Sequence, residues 1–166
     1  MTNYLLAGGG TAGHVNPLLA LADYITQHEP DSRIYTLGTR EGLEAELIPA
    51  RGYQLDFIAK LPFPRKPSIY ALSFPIKFMT AVSEVRKQIR KNHIQVVVGF
   101  GGYASAPAYL AARLEKIKLV IHEANALPGL TETSSAPLAI DASGHATAVL
   151  FNALALRAAG LELSNA

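Results

Sequence analysis

One histidine closes a glycine-rich run. Gly8-Gly9-Gly10-Thr11-Ala12-Gly13-His14 follows the apolar segment Tyr4–Ala7 and precedes an amphipathic stretch. Glycines let a backbone approach a ligand closely, and the N–H groups that open a helix favour an anion. His14 has two readings there. An imidazole titrates near neutral pH, which suits a general base. It can equally cap the helix or donate to a phosphate. A second run, Gly99-Phe100-Gly101-Gly102-Tyr103-Ala104-Ser105, again stands between an apolar segment and a helical one. Two such turns at the carboxyl ends of parallel strands face one crevice and can hold a diphosphate from two sides. His122-Glu123-Ala124-Asn125 ends a further apolar segment. Glu123 and Asn125 fall on the same rim, where polar groups read sugar hydroxyls or position a base. His122 reads equally well as a core histidine.

The first run also satisfies G-x-G-x-x-G, the dinucleotide pattern. That chemistry wants an acid about 20 residues on, at the end of the second strand. Gly38-Thr39-Arg40 stands there instead, which weakens NAD. Arg40 could hold a 2′-phosphate, so an NADP-binding oxidoreductase domain resting on Gly8, Gly10, Gly13 and Arg40 is the alternative. Other classes are excluded by absence. There is no P-loop, no G-x-S-x-G and no cysteine, so P-loop NTPases, α/β-hydrolases, thiolate zinc sites and cysteine nucleophiles drop out. No D-x-D suggests a metal-held nucleotide sugar, and no metal or cofactor is expected.

The segment Leu61–Phe78 mixes apolar and cationic residues. Phe63, Ile69, Tyr70, Leu72, Phe74 and Phe78 lie among Arg65, Lys66 and Lys77. Apolar tips among cations fit an anionic membrane surface. Ordinary packing of a long loop beside a solvated basic face is the competing reading.

These residues need a frame. The chain has 166 residues, 49% apolar and 17% charged, which bounds it to a globular protein with room for one full domain. A net charge of +2 gives no reason to expect nucleic acid. No apolar run reaches the ~18–20 residues of a membrane span, and no signal peptide is expected. Strands are predicted at Tyr4–Ala7, Arg33–Leu37, Gln54–Ile58, Val96–Val98 and Leu119–His122. Helices are predicted at Asn16–Gln27, Glu41–Ala50, Ser105–Glu115 and from a Ser73 cap to about Asn92. Ile76, Met79, Val82, Val85 and Ile89 are the expected buried stripe of that last helix. Strands alternating with helices mean βαβ units, and so an α/β fold: a Rossmann-like parallel sheet with helices on both faces. Residues 131–166 read as a divergent tail, a loop followed by a helix at about 145–159.

Gly9–His14, Val98–Tyr103 and His122–Asn125 with Pro128-Gly129-Leu130 together resemble the N-terminal half of the MurG family. The similarity runs from about residue 3 to 130. The resemblance implies one half of a GT-B architecture, occupying 1–130. It implies an inverting, UDP-N-acetylglucosamine-dependent hexosyltransferase of peptidoglycan synthesis, converting lipid I to lipid II. The acceptor is linked to undecaprenyl diphosphate, and the enzyme is peripheral on the cytoplasmic face of the bacterial membrane. By that resemblance His14 is the base or a diphosphate ligand, and Glu123 is catalytic at the cleft. Gly9, Gly10, Thr11, Ala12, Gly13, Gly101, Gly102, Tyr103 and Asn125 bind substrate. Ile69, Leu72, Phe74, Lys77 and Phe78 touch the anionic inner membrane surface. Ala124 replaces a Gln common in the family. The family binds its donor mainly through a second domain, so this chain is expected to bind acceptor with little transfer of its own.

Overall fold

The computed structural model describes residues 1–64 and 66–123 and the strand 147–151. Six strands form one parallel sheet: β1 (Asn3–Ala7), β2 (Arg33–Gly38), β3 (Leu55–Phe57), β4 (Val96–Gly99), β5 (Lys118–Glu123) and β6 (Thr147–Phe151), in the spatial order β3-β2-β1-β4-β5-β6. The order reverses direction at β1, between β2 and β4. That is the switch point at which ligands of open α/β sheets bind.

Side chains alternate between the two faces, as a strand requires. Leu5, Ala7, Leu37, Val97, Leu119 and Ile121 pack under α3 (Ile69–Lys91) and α4 (Ser105–Leu114). Leu6, Leu55 and Val98 pack under α1 (Ala12–His28) and α2 (Glu44–Ala50). Both faces of the sheet are therefore covered, and its strands are apolar on both sides.

Three boundaries differ from expectation, and each difference bears on function. Helix α1 begins at Ala12, not Asn16, so His14 lies in its first turn and not in a loop. Helix α3 begins at Ile69. Its cap is Ser68, whose Oγ accepts from the Ala71 N–H at 3.2 Å, while Ser73 lies inside the helix and donates to Tyr70 O. The buried row of α3 is Ala81, Val82, Val85 and Ile89; Ile76 and Met79 are 74% and 50% exposed. Successive residues turn about 100°, which puts Met79 about 60° and Ile76 about 120° from Val82, on the side away from Val85 and Ile89. Finally, residues 147–151 form a strand on β5, with Leu119 opposite Thr147 and Glu123 opposite Phe151, where a helix was expected. Thr147-Ala148-Val149-Leu150-Phe151 is a short apolar run, the pattern whose periodicity does not separate strand from helix. The expected loop at 131–144 lies outside the described residues, as does the rest of the expected helix.

Candidate active site

The two glycine turns meet at the carboxyl ends of β1 and β4, and they meet backbone to backbone. Phe100 N–H donates to Ala7 O at 2.8 Å and Gly9 N–H to Gly101 O at 3.3 Å. Gly102 has φ +86° and faces the Gly9 carbonyl so closely that a Cβ would overlap it. Only glycine satisfies both the left-handed backbone and that approach. Ser105, fully buried at the start of α4, ties the same junction. Its hydroxyl lies 2.9 Å from Ala7 O and 2.8 Å from Gly101 O, two acceptors for one proton.

His14 is half-buried on this junction. Its Nδ1 is 2.9 Å from Gly9 O and 3.3 Å from Thr11 Oγ1. A carbonyl oxygen can only accept, so Nδ1 carries the proton. In the neutral ring Nε2 is then the bare nitrogen, the form a general base needs. The backbone N–H groups of Ala12 and Gly13 lie in the first turn of α1, among those a helix leaves without an intrahelical acceptor. They are donors available to an anion beside His14, whereas the Gly9 and Gly10 N–H groups are already taken.

Gly10 N–H is taken by Glu44, which was not picked out from the sequence. Glu44 opens α2 and is fully buried. Its Oε2 accepts from Gly10 N–H at 2.6 Å, and its Oε1 accepts from the Thr39 N–H at 2.9 Å and the Thr39 hydroxyl at 2.7 Å. A methyl group on Gly9, Gly38 or Gly42 would overlap this side chain. Burial is the largest single influence on its carboxyl and opposes the charge. The hydrogen bonds together outweigh it and hold the group below its ordinary range. A signal was available: Glu44 stands four residues before the buried Ile48, on the apolar face of its helix.

The remaining expectations divide. Gly101 and Tyr103 are at the junction; Tyr103 is 38% exposed, with the Lys60 ammonium 5.4 Å from its ring centroid. Glu123 ends β5 on the same rim as the turns. Asn125 and Ala124 lie outside the described residues. Arg40 stacks over the Phe57 ring at 4.5 Å. Ile69 and Leu72 are 87% and 82% exposed. Phe74 and Phe78 are instead half-buried in an aromatic cluster with Phe63 and Tyr70, and Lys77 lies 5.2 Å from the Tyr70 ring. Of the basic residues in this half of the chain, Arg86 and Arg90 are engaged by Glu115 at 2.6 and 2.8 Å. No helix among the described residues is long and apolar enough to cross a membrane. No group of three or more metal-ligating side chains occurs among them either.

A doubly covered parallel sheet with paired glycine turns at its switch point is the Rossmann-like domain that forms one half of a GT-B glycosyltransferase. The chain belongs to glycosyltransferase family 28, whose N-terminal domain model matches residues 4–142. A UDP-N-acetylglucosamine--N-acetylmuramyl-(pentapeptide) pyrophosphoryl-undecaprenol N-acetylglucosamine transferase of Clavibacter sepedonicus is 60% identical over 139 residues, 84% of this chain and 38% of that protein. The enzyme of the same name from Leifsonia xyli subsp. xyli is 58% identical over 130 residues, 78% of this chain and 36% of its own length. The crystal structure of Acinetobacter baumannii MurG superposes with a TM-score of 0.73 at 28% identity, over 90% of this chain and 46% of that one. The chain thus spans less than half the length of each of these relatives. Nothing among these relatives supports the oxidoreductase alternative.

Proposed function

We propose that residues 1–130 form the acceptor-binding half of an N-acetylglucosaminyltransferase whose acceptor is N-acetylmuramyl-pentapeptide linked to undecaprenyl diphosphate. Residues 131–166 follow it as a tail, whose first part, to residue 142, the family model still matches. The donor is UDP-N-acetylglucosamine, held mainly by a second domain. The relatives' names supply the substrate classes. The junction of the two glycine turns beside a histidine with a bare Nε2 carries the reading.

In this mechanism the acceptor diphosphate rests on the N–H groups of Ala12 and Gly13 and against the Gly101–Tyr103 turn. The positive end of α1 favours the anion. The acceptor hydroxyl attacks the anomeric carbon of the donor. The new C–O bond forms as the bond to the UDP oxygen breaks, and the hydroxyl proton passes to His14 Nε2. Glu123, which ends β5 on the rim of the glycine turns, belongs to the same site in this reading.

The exposed apolar residues of α3 belong to the same reading. Ile69, Leu72, Ile76 and Met79 recur at spacings of three and four residues, so they form one stripe facing away from the core. With Lys66 and Lys77 nearby, this stripe seats the domain on the anionic cytoplasmic face of the membrane that carries the acceptor.

Calorimetry on the purified chain tests the acceptor half. A soluble diphosphate-linked analogue of the acceptor is expected to bind, and the same sugar-peptide lacking the diphosphate is expected to bind at least about tenfold more weakly. Equal binding of the two would overturn the assignment of the glycine junction.

A further inference from the structure

Three groups at the junction form a line that the reaction described above does not use. Glu44 Oε2 accepts from the N–H of Gly10 at 2.6 Å. His14 Nδ1–H donates to the carbonyl of Gly9 at 2.9 Å. That N–H and that carbonyl belong to one peptide unit, the bond between Gly9 and Gly10. The carboxylate and the imidazole therefore grip opposite ends of a single amide dipole.

We propose that Glu44 is a positioning residue that acts on His14 through the Gly9–Gly10 peptide, fixing the tautomer with Nδ1 protonated and Nε2 bare. The inference rests on the reading of His14 as the base. An anion at the N–H end polarises the amide and strengthens its oxygen as an acceptor, because hydrogen bonds in series reinforce one another. A stronger acceptor holds the Nδ1 proton more firmly. In a serine protease the carboxylate touches the imidazole directly and performs the same orienting role; here one peptide unit is interposed.

The surroundings fit this role better than a purely structural one. Thr39 supplies two donors to Oε1 alone, so Oε2 is left to Gly10. The side chain fills the space that Cβ atoms at positions 9, 38 and 42 would need. Its carboxyl is held in the charged form, so the polarisation persists through the neutral range. A carboxylate needed only to fill space would be replaced without loss by its own amide.

That difference defines the test. Glu44→Gln keeps the shape but has a single acceptor oxygen. With that oxygen on Thr39, the NH2 group is turned against the Gly10 N–H. Nitrogen NMR on the full chain reads which ring nitrogen of neutral His14 carries the proton. In the unmodified chain Nδ1 is expected to carry it. In Glu44→Gln the share of rings protonated at Nε2 is expected to rise at least about threefold, and Glu44→Asp is expected to fall between the two. An unmodified chain whose neutral His14 is protonated at Nε2 overturns the proposal with no variant needed. So does a folded Glu44→Gln chain with an unchanged tautomer ratio. The readout does not involve turnover: a tautomer that responds to Glu44 while His14 proves dispensable for transfer would sink the base assignment and leave the relay standing.

Discussion

At the residue scale, the site depends on how few atoms separate its parts. Gly102 faces the Gly9 carbonyl at a left-handed φ, whereas Gly10 has a similar φ of +91° with open space where a Cβ would go. Gly102→Ala is therefore expected to cost about 2 kcal/mol or more, and Gly10→Ala only the backbone share of about 1–2 kcal/mol. Urea unfolding of the two variants measures the difference, and equal losses would show that the close approach is unimportant. Glu44 has a pH signature as well. Its folded pKa lies below the ordinary 4.5, so its contribution to stability is present above that value. The contribution fades as pH falls through the lower, folded value. Glu44→Gln removes this share. Its stability should fall less steeply than that of the unmodified chain as pH drops below about 4.5. Parallel slopes in acid denaturation would contradict the hydrogen bonds to Gly10 and Thr39.

At the scale of elements, α3 is two helices in one. Its second half packs Ala81, Val82, Val85 and Ile89 on the core and is tied across to Glu115 by Arg86 and Arg90. Its first half presents Ile69, Leu72 and Ile76 to solvent. The double variant Leu72→Glu with Ile76→Glu should bind anionic phospholipid vesicles at least about tenfold more weakly, since one buried aliphatic side chain is worth about 1.5–3 kcal/mol. Its melting temperature should stay close to that of the unmodified chain, because neither side chain touches the core. Unchanged vesicle sedimentation would remove the membrane role from this stripe. The division of α3 also shows what the sequence could convey. Five strands and four helices were legible because apolar periods of two and of three to four alternate along residues 3–123. The start of α3 was not, because Pro67 and Pro75 bracket it. Proline reads as a breaker, yet Pro75 sits inside the helix. Strand 147–151 was missed for a different reason: a five-residue apolar run has no period of its own, and its parallel neighbour β5 decides it. At the site, the glycine turns and His14 were legible from spacing. Glu44 and Ser105 are harder to read: Glu44 carries only its place four residues before Ile48, and the bonds to Gly10 and Ala7 that define the two roles join segments distant in the chain.

At the scale of the whole molecule, the sheet brings the glycine turns, His14 and the end of β5 to one edge. β1 and β4 carry the glycine turns, α1 carries His14, and β5 ends at Glu123. Such an edge binds and orients, but transfer also needs an anomeric carbon held in line. A general base contributes typically ~10²–10⁴-fold, and only when the donor lies beside the hydroxyl it activates. The chain alone is therefore expected to show negligible transfer from UDP-N-acetylglucosamine. A chimera supplies a donor-binding domain. Residues 1–130 would replace the corresponding part of the Clavibacter sepedonicus enzyme, to which this chain is 60% identical over 139 residues. That chimera should transfer N-acetylglucosamine to a soluble acceptor analogue. His14→Ala within it should lower kcat by roughly 10²–10⁴-fold with little change in the KM for the acceptor, because a base acts in the transition state and not in the bound ground state. A raised acceptor KM at unchanged kcat would instead make His14 a ligand of the diphosphate, and Ala12 and Gly13 would then be only part of that anion's cradle. An inactive chimera that still binds both substrates would place the fault in how the two halves meet.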